Sequence, residues 1–140
     1  MTENIGRQLK IASTQLTKQF DKFAIQYDLT SMQMSVIDFL TLFYDQEIFQ
    51  KDIEHEFNIR RSTASTLLKR MEDKGLVRRV ESNKDARQKQ VILTDLAVQY
   101  EDDIQKFMVE TQQQIHSFLS DEEYAALESS LDKIIKHMGD

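Results

Sequence analysis

The stretch from Asn58 to Lys89 constrains this chain more than any other, because its apolar pattern changes character at Gly75. Before it, Ala64, Leu67, Leu68 and Met71 fall at i, i+3, i+4 and i+7. That spacing makes one stripe of a helix, and the stripe must meet a core. Gly75 stands where a helix needs a residue of positive φ to stop. At the start, Arg61 or Ser62 marks the boundary, and serine is the expected N-cap. After the glycine, Val77–Val80 and Gln90–Leu93 are short β-prone runs joined by the polar stretch 81–89. This predicts a hairpin with a long basic tip. A helix followed at once by such a hairpin reads as the recognition helix and wing of a winged helix–turn–helix.

The face of the helix opposite the stripe carries Arg61, Ser62, Thr63, Ser65, Thr66, Lys69 and Arg70. Cations and short hydroxyls suit a helix in a DNA major groove. Arg61, Ser62, Thr63, Ser65 and Thr66 are expected at base edges, and Lys69 and Arg70 at phosphates. At the hairpin tip, Arg87 is placed to enter a narrow minor groove, with Asp85 orienting it and Lys84 and Lys89 beside it. Taken alone, a basic amphipathic helix is equally an ordinary solvated surface helix. The helix and the basic hairpin together point to double-stranded DNA. The net charge of −6 argues the other way until its distribution is read. Residues 59–90 hold ten Lys or Arg and four Asp or Glu, a local +6, and the remainder holds eight and twenty, a local −12. A basic module in an acidic body still docks a polyanion, because the local field decides where.

Around this module the pattern predicts helices. Ile5, Leu9, Ala12, Leu16, Phe20 and Phe23 trace a first helix to about Tyr27. Thr30-Ser-Met-Gln33 is a capping box opening a second helix, apolar nearly all round and therefore central. Residues 49–57 form a short third helix, with Ile53 and Phe57 inward, and Asn58-Ile59 makes the turn into the recognition helix. Gln50 and Lys51 are placed to touch phosphate, with plain solvation as the other reading. Leu93-Thr94-Asp95 opens a long helix to about Phe118, and Ser120-Asp-Glu-Glu123 is a second capping box before a last helix. That helix puts Tyr124, Leu127, Leu131, Ile134, Ile135 and Met138 on one face. The organisation expected is a winged region at 29–94 and a helical dimerisation region at 1–28 and 95–140. The first and last helices would each expose an apolar face alone, and a homodimer is the natural way to cover it.

The run Glu72-Asp-Lys-Gly-Leu-Val-Arg78, then Asp85-Ala-Arg87, then Leu93-Thr94, resembles the MarR family of bacterial transcriptional regulators. Order, spacing and total length all match, so the resemblance covers essentially the whole chain. Ala97 departs from the family, which often has glycine shortly after Leu-Thr. The resemblance implies a mainly α fold with a small β-hairpin wing. It also implies a homodimer whose two recognition helices address a palindromic operator, most often as a repressor. Family members often bind small aromatic effectors between the dimerisation helices and the winged module. Tyr27, Met32, Phe39, Phe43, Phe107 and Met108 are candidates to line such a cleft, although for each one an ordinary core role is the favoured reading.

Other chemistry finds little support. There is no cysteine, which removes disulfides, thiolate ligands and, within the resemblance, cysteine-based peroxide sensing. His55, His116 and His137 lie in separate helices without metal-ligand spacing, and His116 is the one to watch. No phosphate-binding glycine loop and no nucleophile–base arrangement stands out, so neither an enzyme nor a cofactor is expected. No run of about 18 apolar residues crosses a membrane, and the first residues lack a signal-peptide core, so a cytoplasmic location is expected. The competing class is an adaptor whose winged helix docks a protein. An acidic wing and an apolar recognition face would favour it, and this chain has a basic wing and a polar face.

Overall fold

Capping and turn chemistry set the element boundaries in the computed structural model, which describes residues 4–139. Helix α1 (Ile5–Ala24) starts where the Asn4 side chain accepts from the Arg7 N–H at 2.9 Å. It tightens into a 3-10 turn at Ile25–Tyr27, so the regular helix is three residues shorter than the apolar pattern suggested. Asp28 then turns the chain with φ +57°. The Thr30–Gln33 box opens α2 (Ser31–Leu42), with Thr30 Oγ1 and Gln33 Oε1 each accepting the other's N–H at 3.1 Å. Met34, Val36, Ile37, Phe39 and Leu40 are all buried, so α2 is the central helix. Helix α1 packs against it.

Helix α3 (Gln50–Phe57) begins one residue later than its pattern suggested. Phe49 is the N-cap, and its N–H donates to the Asp52 carboxylate at 2.8 Å. Phe49 also bridges Gln90, and the Val91 N–H donates to Ile48 O at 2.7 Å. This short third edge on the wing was not readable from a run of one or two residues. Asn58, at φ +51°, makes the turn into α4 (Arg61–Asp73). The N-cap there is Arg60, whose side chain caps nothing, and Ser62 lies inside the first turn. The expected serine cap is therefore not formed.

The end of α4 follows its glycine. The Gly75 N–H donates to Glu72 O at 2.9 Å and the Leu76 N–H to Met71 O at 2.8 Å, which is a Schellman closure. Gly75 has φ +74° and open space around its Cα, so conformation alone demands glycine here. Strands β1 (Val77–Glu81) and β2 (Lys89–Leu93) pair antiparallel from Val77↔Leu93 to Glu81↔Lys89, each one residue longer than expected. Thr94 caps α5 (Asp95–Val98). The predicted long helix breaks at 99–100, where the Gln99 and Tyr100 N–H groups bond three residues back, and α6 (Glu101–Ser117) follows. Tyr100 packs its ring on Tyr27 there, with centroids 5.1 Å apart. Helix α7 (Asp121–Met138) opens on the Ser120–Glu123 box.

Two compact units result, residues 1–102 and 103–140. The first has its core in Met34, Ile37, Ile53, Leu68, Met71 and Val77. In the second, His116 stacks on Tyr124 with centroids 4.1 Å apart and places Nε2 3.0 Å from Asp121 Oδ1. No helix among the described residues is long and apolar enough to cross a membrane.

Candidate nucleic-acid interface

Helix α4 turns one face inward and leaves the other to solvent. Ala64, Leu68 and Met71 are fully buried and Leu67 is half-buried. Arg61, Ser62, Thr63, Ser65, Thr66, Lys69 and Arg70 are all exposed. The helix thus separates the packing residues from the hydroxyl and cationic set as the spacing implied. Lys69 is not an isolated cation, because its Nζ lies 2.9 Å from Asp73 Oδ1 one turn on. That contact raises the lysine pKa. An exposed pair of this kind contributes little and exchanges readily for another anion.

Open grooves flank the exposed face on both sides. On the wing side, about 600 Å³ is bounded by Gln50, Lys51, Glu54, Arg61, Arg79 and Lys89. Four of these are cations and one is an acid, so the groove suits a polyanion. On the α2 side, about 460 Å³ is bounded by Thr30, Met32, Ser62, Thr66 and Arg70. Lys51 is exposed on α3 and Lys89 at the start of β2.

The wing tip is built around two side chains. Ser82 is buried, and its Oγ accepts the Lys84 and Asp85 N–H groups at 3.0 and 3.2 Å. Asp85 in turn accepts from Arg87 three times. The Arg87 backbone N–H and Nε reach Oδ1 at 3.0 and 3.1 Å, and Nη2 reaches Oδ2 at 3.2 Å. The bidentate pair fixes a guanidinium whose side chain is 90% exposed. The same bonds, from the Arg87 side chain first and its N–H second, hold the Asp85 carboxyl below the usual carboxylate range. Lys84 stands exposed beside them.

Two residues that the pattern did not single out hold the module together. Arg79 on β1 pairs with Glu72 of α4 at 3.1 Å and donates to Gln50 of α3 at 3.2 Å. Lys74, which caps α4, donates to Gln33 Oε1 at 3.2 Å and to the Asp28 carbonyl. Apart from the Arg79–Glu72 pair, these contacts join residues far apart in sequence, and no local spacing announces them.

The aromatic set divides. Tyr27 packs on Phe23 and Tyr100, and Phe39 packs on Phe43 and Phe57. Phe39 is buried in the core. Met32 borders the α2-side groove, while Phe43 borders a separate hollow with Leu40, Ile48 and Val91. Phe107 and Met108 are half-buried on α6, in the second unit. Among the described residues no group of three His, Asp or Glu side chains is arranged to hold a metal.

This arrangement, a polar recognition helix with a braced cationic wing, defines a winged helix–turn–helix regulator. A family model described as MarR family matches residues 27–88. The solved transcription regulator MarR from Oenococcus oeni PSU-1 is 46% identical, with a TM-score of 0.88 over 95% of this chain and 99% of that one. The chain belongs to the MarR family of transcription regulators. The Staphylococcus aureus MepR–DNA complex is 23% identical, with a TM-score of 0.88 over 98% of this chain and 99% of that one. MepR in its DNA-binding conformation is 24% identical, with a TM-score of 0.87 over 97% and 99%. No curated protein sequence matches significantly.

Proposed function

We propose that this chain is a repressor that acts as a homodimer on a palindromic operator and is released by a small ligand. The observation that carries the reading is the exposed α4 face, flanked by the groove of Lys51, Arg61, Arg79 and Lys89 and by the Asp85-braced Arg87. Arg61, Ser62, Thr63, Ser65 and Thr66 meet base edges, and Lys51, Lys69, Arg70, Lys84 and Lys89 meet phosphates. Arg87 enters the flanking minor groove. Two-fold symmetry sets the half-sites about 10 bp apart, or a multiple of that. The complex of its fold relative MepR with DNA supports the same partner for this chain.

Release follows if an effector binds a conformation with the wrong recognition-helix separation better than the DNA-competent one. The effector proposed is a small aromatic compound. The reading is tested by fluorescence anisotropy against duplex DNA from upstream of the chain's own gene and a scrambled control. Preferential binding of the native duplex that weakens steeply with salt is the expected result. Absence of binding to either duplex at low salt would remove the DNA reading and favour a protein-docking adaptor.

A further inference from the structure

Gln50 sits in a chain of hydrogen bonds whose polarity is fixed along its length. An arginine can only donate. Arg79 Nε lies 3.1 Å from Glu72 Oε1, and Arg79 Nη2 lies 3.2 Å from Gln50 Oε1. The Gln50 carbonyl therefore faces Arg79, and its amide nitrogen faces away. That nitrogen lies 2.9 Å from Ser65 Oγ and 3.3 Å from Glu54 Oε2. Glu54, as a carboxylate, can only accept, so it demands the same orientation. A flipped Gln50 would set its amide protons against a guanidinium and its oxygen against a carboxylate.

Ser65 is thereby an acceptor toward Gln50, and its own proton is left to point elsewhere. A hydroxyl on a helix often returns that proton to the carbonyl four residues back, as Thr41 does to Ile37 O at 2.8 Å. Among the described residues Ser65 donates to no protein group. It stands exposed on the recognition face.

We propose that Gln50 is a positioning residue for sequence readout, holding Ser65 as a hydrogen-bond donor in the major groove. Ser65 then selects a base that presents an acceptor there: guanine, adenine or thymine. It rejects cytosine, whose major-groove edge offers only an amino donor. The inference rests on the DNA reading above and adds the polarity of one contact.

Gln50→Glu tests it. The substituted carboxylate keeps Arg79 as a partner but only accepts, so Ser65 must turn its proton inward. A consensus duplex is first selected by the wild-type chain from a random-sequence library. Each consensus position is then changed to cytosine, and the affinity ratio of consensus to cytosine duplex is measured for wild type, Gln50→Glu, Ser65→Ala and the double variant. Scrambled duplex measures the uniform loss from the added charge, and that loss cancels in the ratio. At one position per half-site the cytosine penalty should fall about tenfold in each single variant and no further in the double. An unchanged penalty in Gln50→Glu, or additive losses in the double variant, overturns the proposal while leaving the DNA reading intact. Failure of the wild type to enrich any sequence overturns the DNA reading, and the proposal with it.

Discussion

Helices α4 and α7 carry apolar stripes of the same period, and only α4 buries its own. Ala64, Leu68 and Met71 are fully buried, and α4 packs on α3 and β1. Helix α7 has no buried residue, and Ile135 and Met138 stay 67% and 81% exposed. Helix α1 resembles α7, with Ile5 68% exposed. Periodicity therefore identifies a face without saying what covers it. Burying a leucine- or isoleucine-sized side chain is worth about 1.5–3 kcal/mol. A helix that forgoes several such contributions leaves an apolar face open, the face that the proposed dimer would cover. The charge division runs alongside: the winged stretch is basic and the rest acidic. Under the proposed function the two regions face different partners.

The contrast breaks most visibly in α7. Leu131→Asp with Ile135→Asp should convert the protein to a monomer with helix content retained, and lower DNA affinity by at least about a hundredfold. Sedimentation velocity and anisotropy measure the two effects, and a persistent dimer would place the interface elsewhere. In α4 the corresponding change acts within one chain. Leu68→Ala should cost about 3 kcal/mol in urea unfolding, through a cavity that leaves oligomeric state unaltered.

Substitutions at the wing tip and at the α7 cap have smaller effects. Arg87→Ala should weaken operator binding several-fold and reduce the magnitude of the salt slope by about one. Ser120→Ala removes the cap of α7 and should cost about 1 kcal/mol in thermal unfolding without touching DNA contacts at saturating dimer. The least effect is on pH. A lowered carboxyl pKa means that the Asp85–Arg87 contact contributes stability above the ordinary carboxylate range and loses it as pH falls through the lowered value. Arg87→Ala should bring the Asp85 titration back toward the ordinary range, which carbon-detected NMR reads directly.

The elements that local chemistry fixes could be read from the sequence. The Thr30 and Ser120 boxes, the Gly75 stop and the paired wing strands all stand where spacing put them. What escaped depends on contacts between distant residues. The Ile48–Phe49 edge on the wing is too short for a strand pattern, and the break at 99–100 falls within an unbroken helical composition. Ser62 looked like a cap because serine is the usual one, yet the chain enters α4 one residue before Arg61. In the candidate interface, the exposed set on α4 and the Asp85–Arg87 pair were readable from residue type. The Gln50–Arg79–Glu72 network was not, because its members come from α3, β1 and α4.

Under the proposed function, two copies joined through the outer helices present two recognition helices to one duplex. Mass photometry of the protein with its selected duplex, run beside a salt series in anisotropy, tests it most directly. Two protomers per duplex and a log–log salt slope of about −5 to −9, as six to ten phosphate contacts require, are the expected result. One protomer per duplex, or binding that salt leaves unchanged, would contradict it.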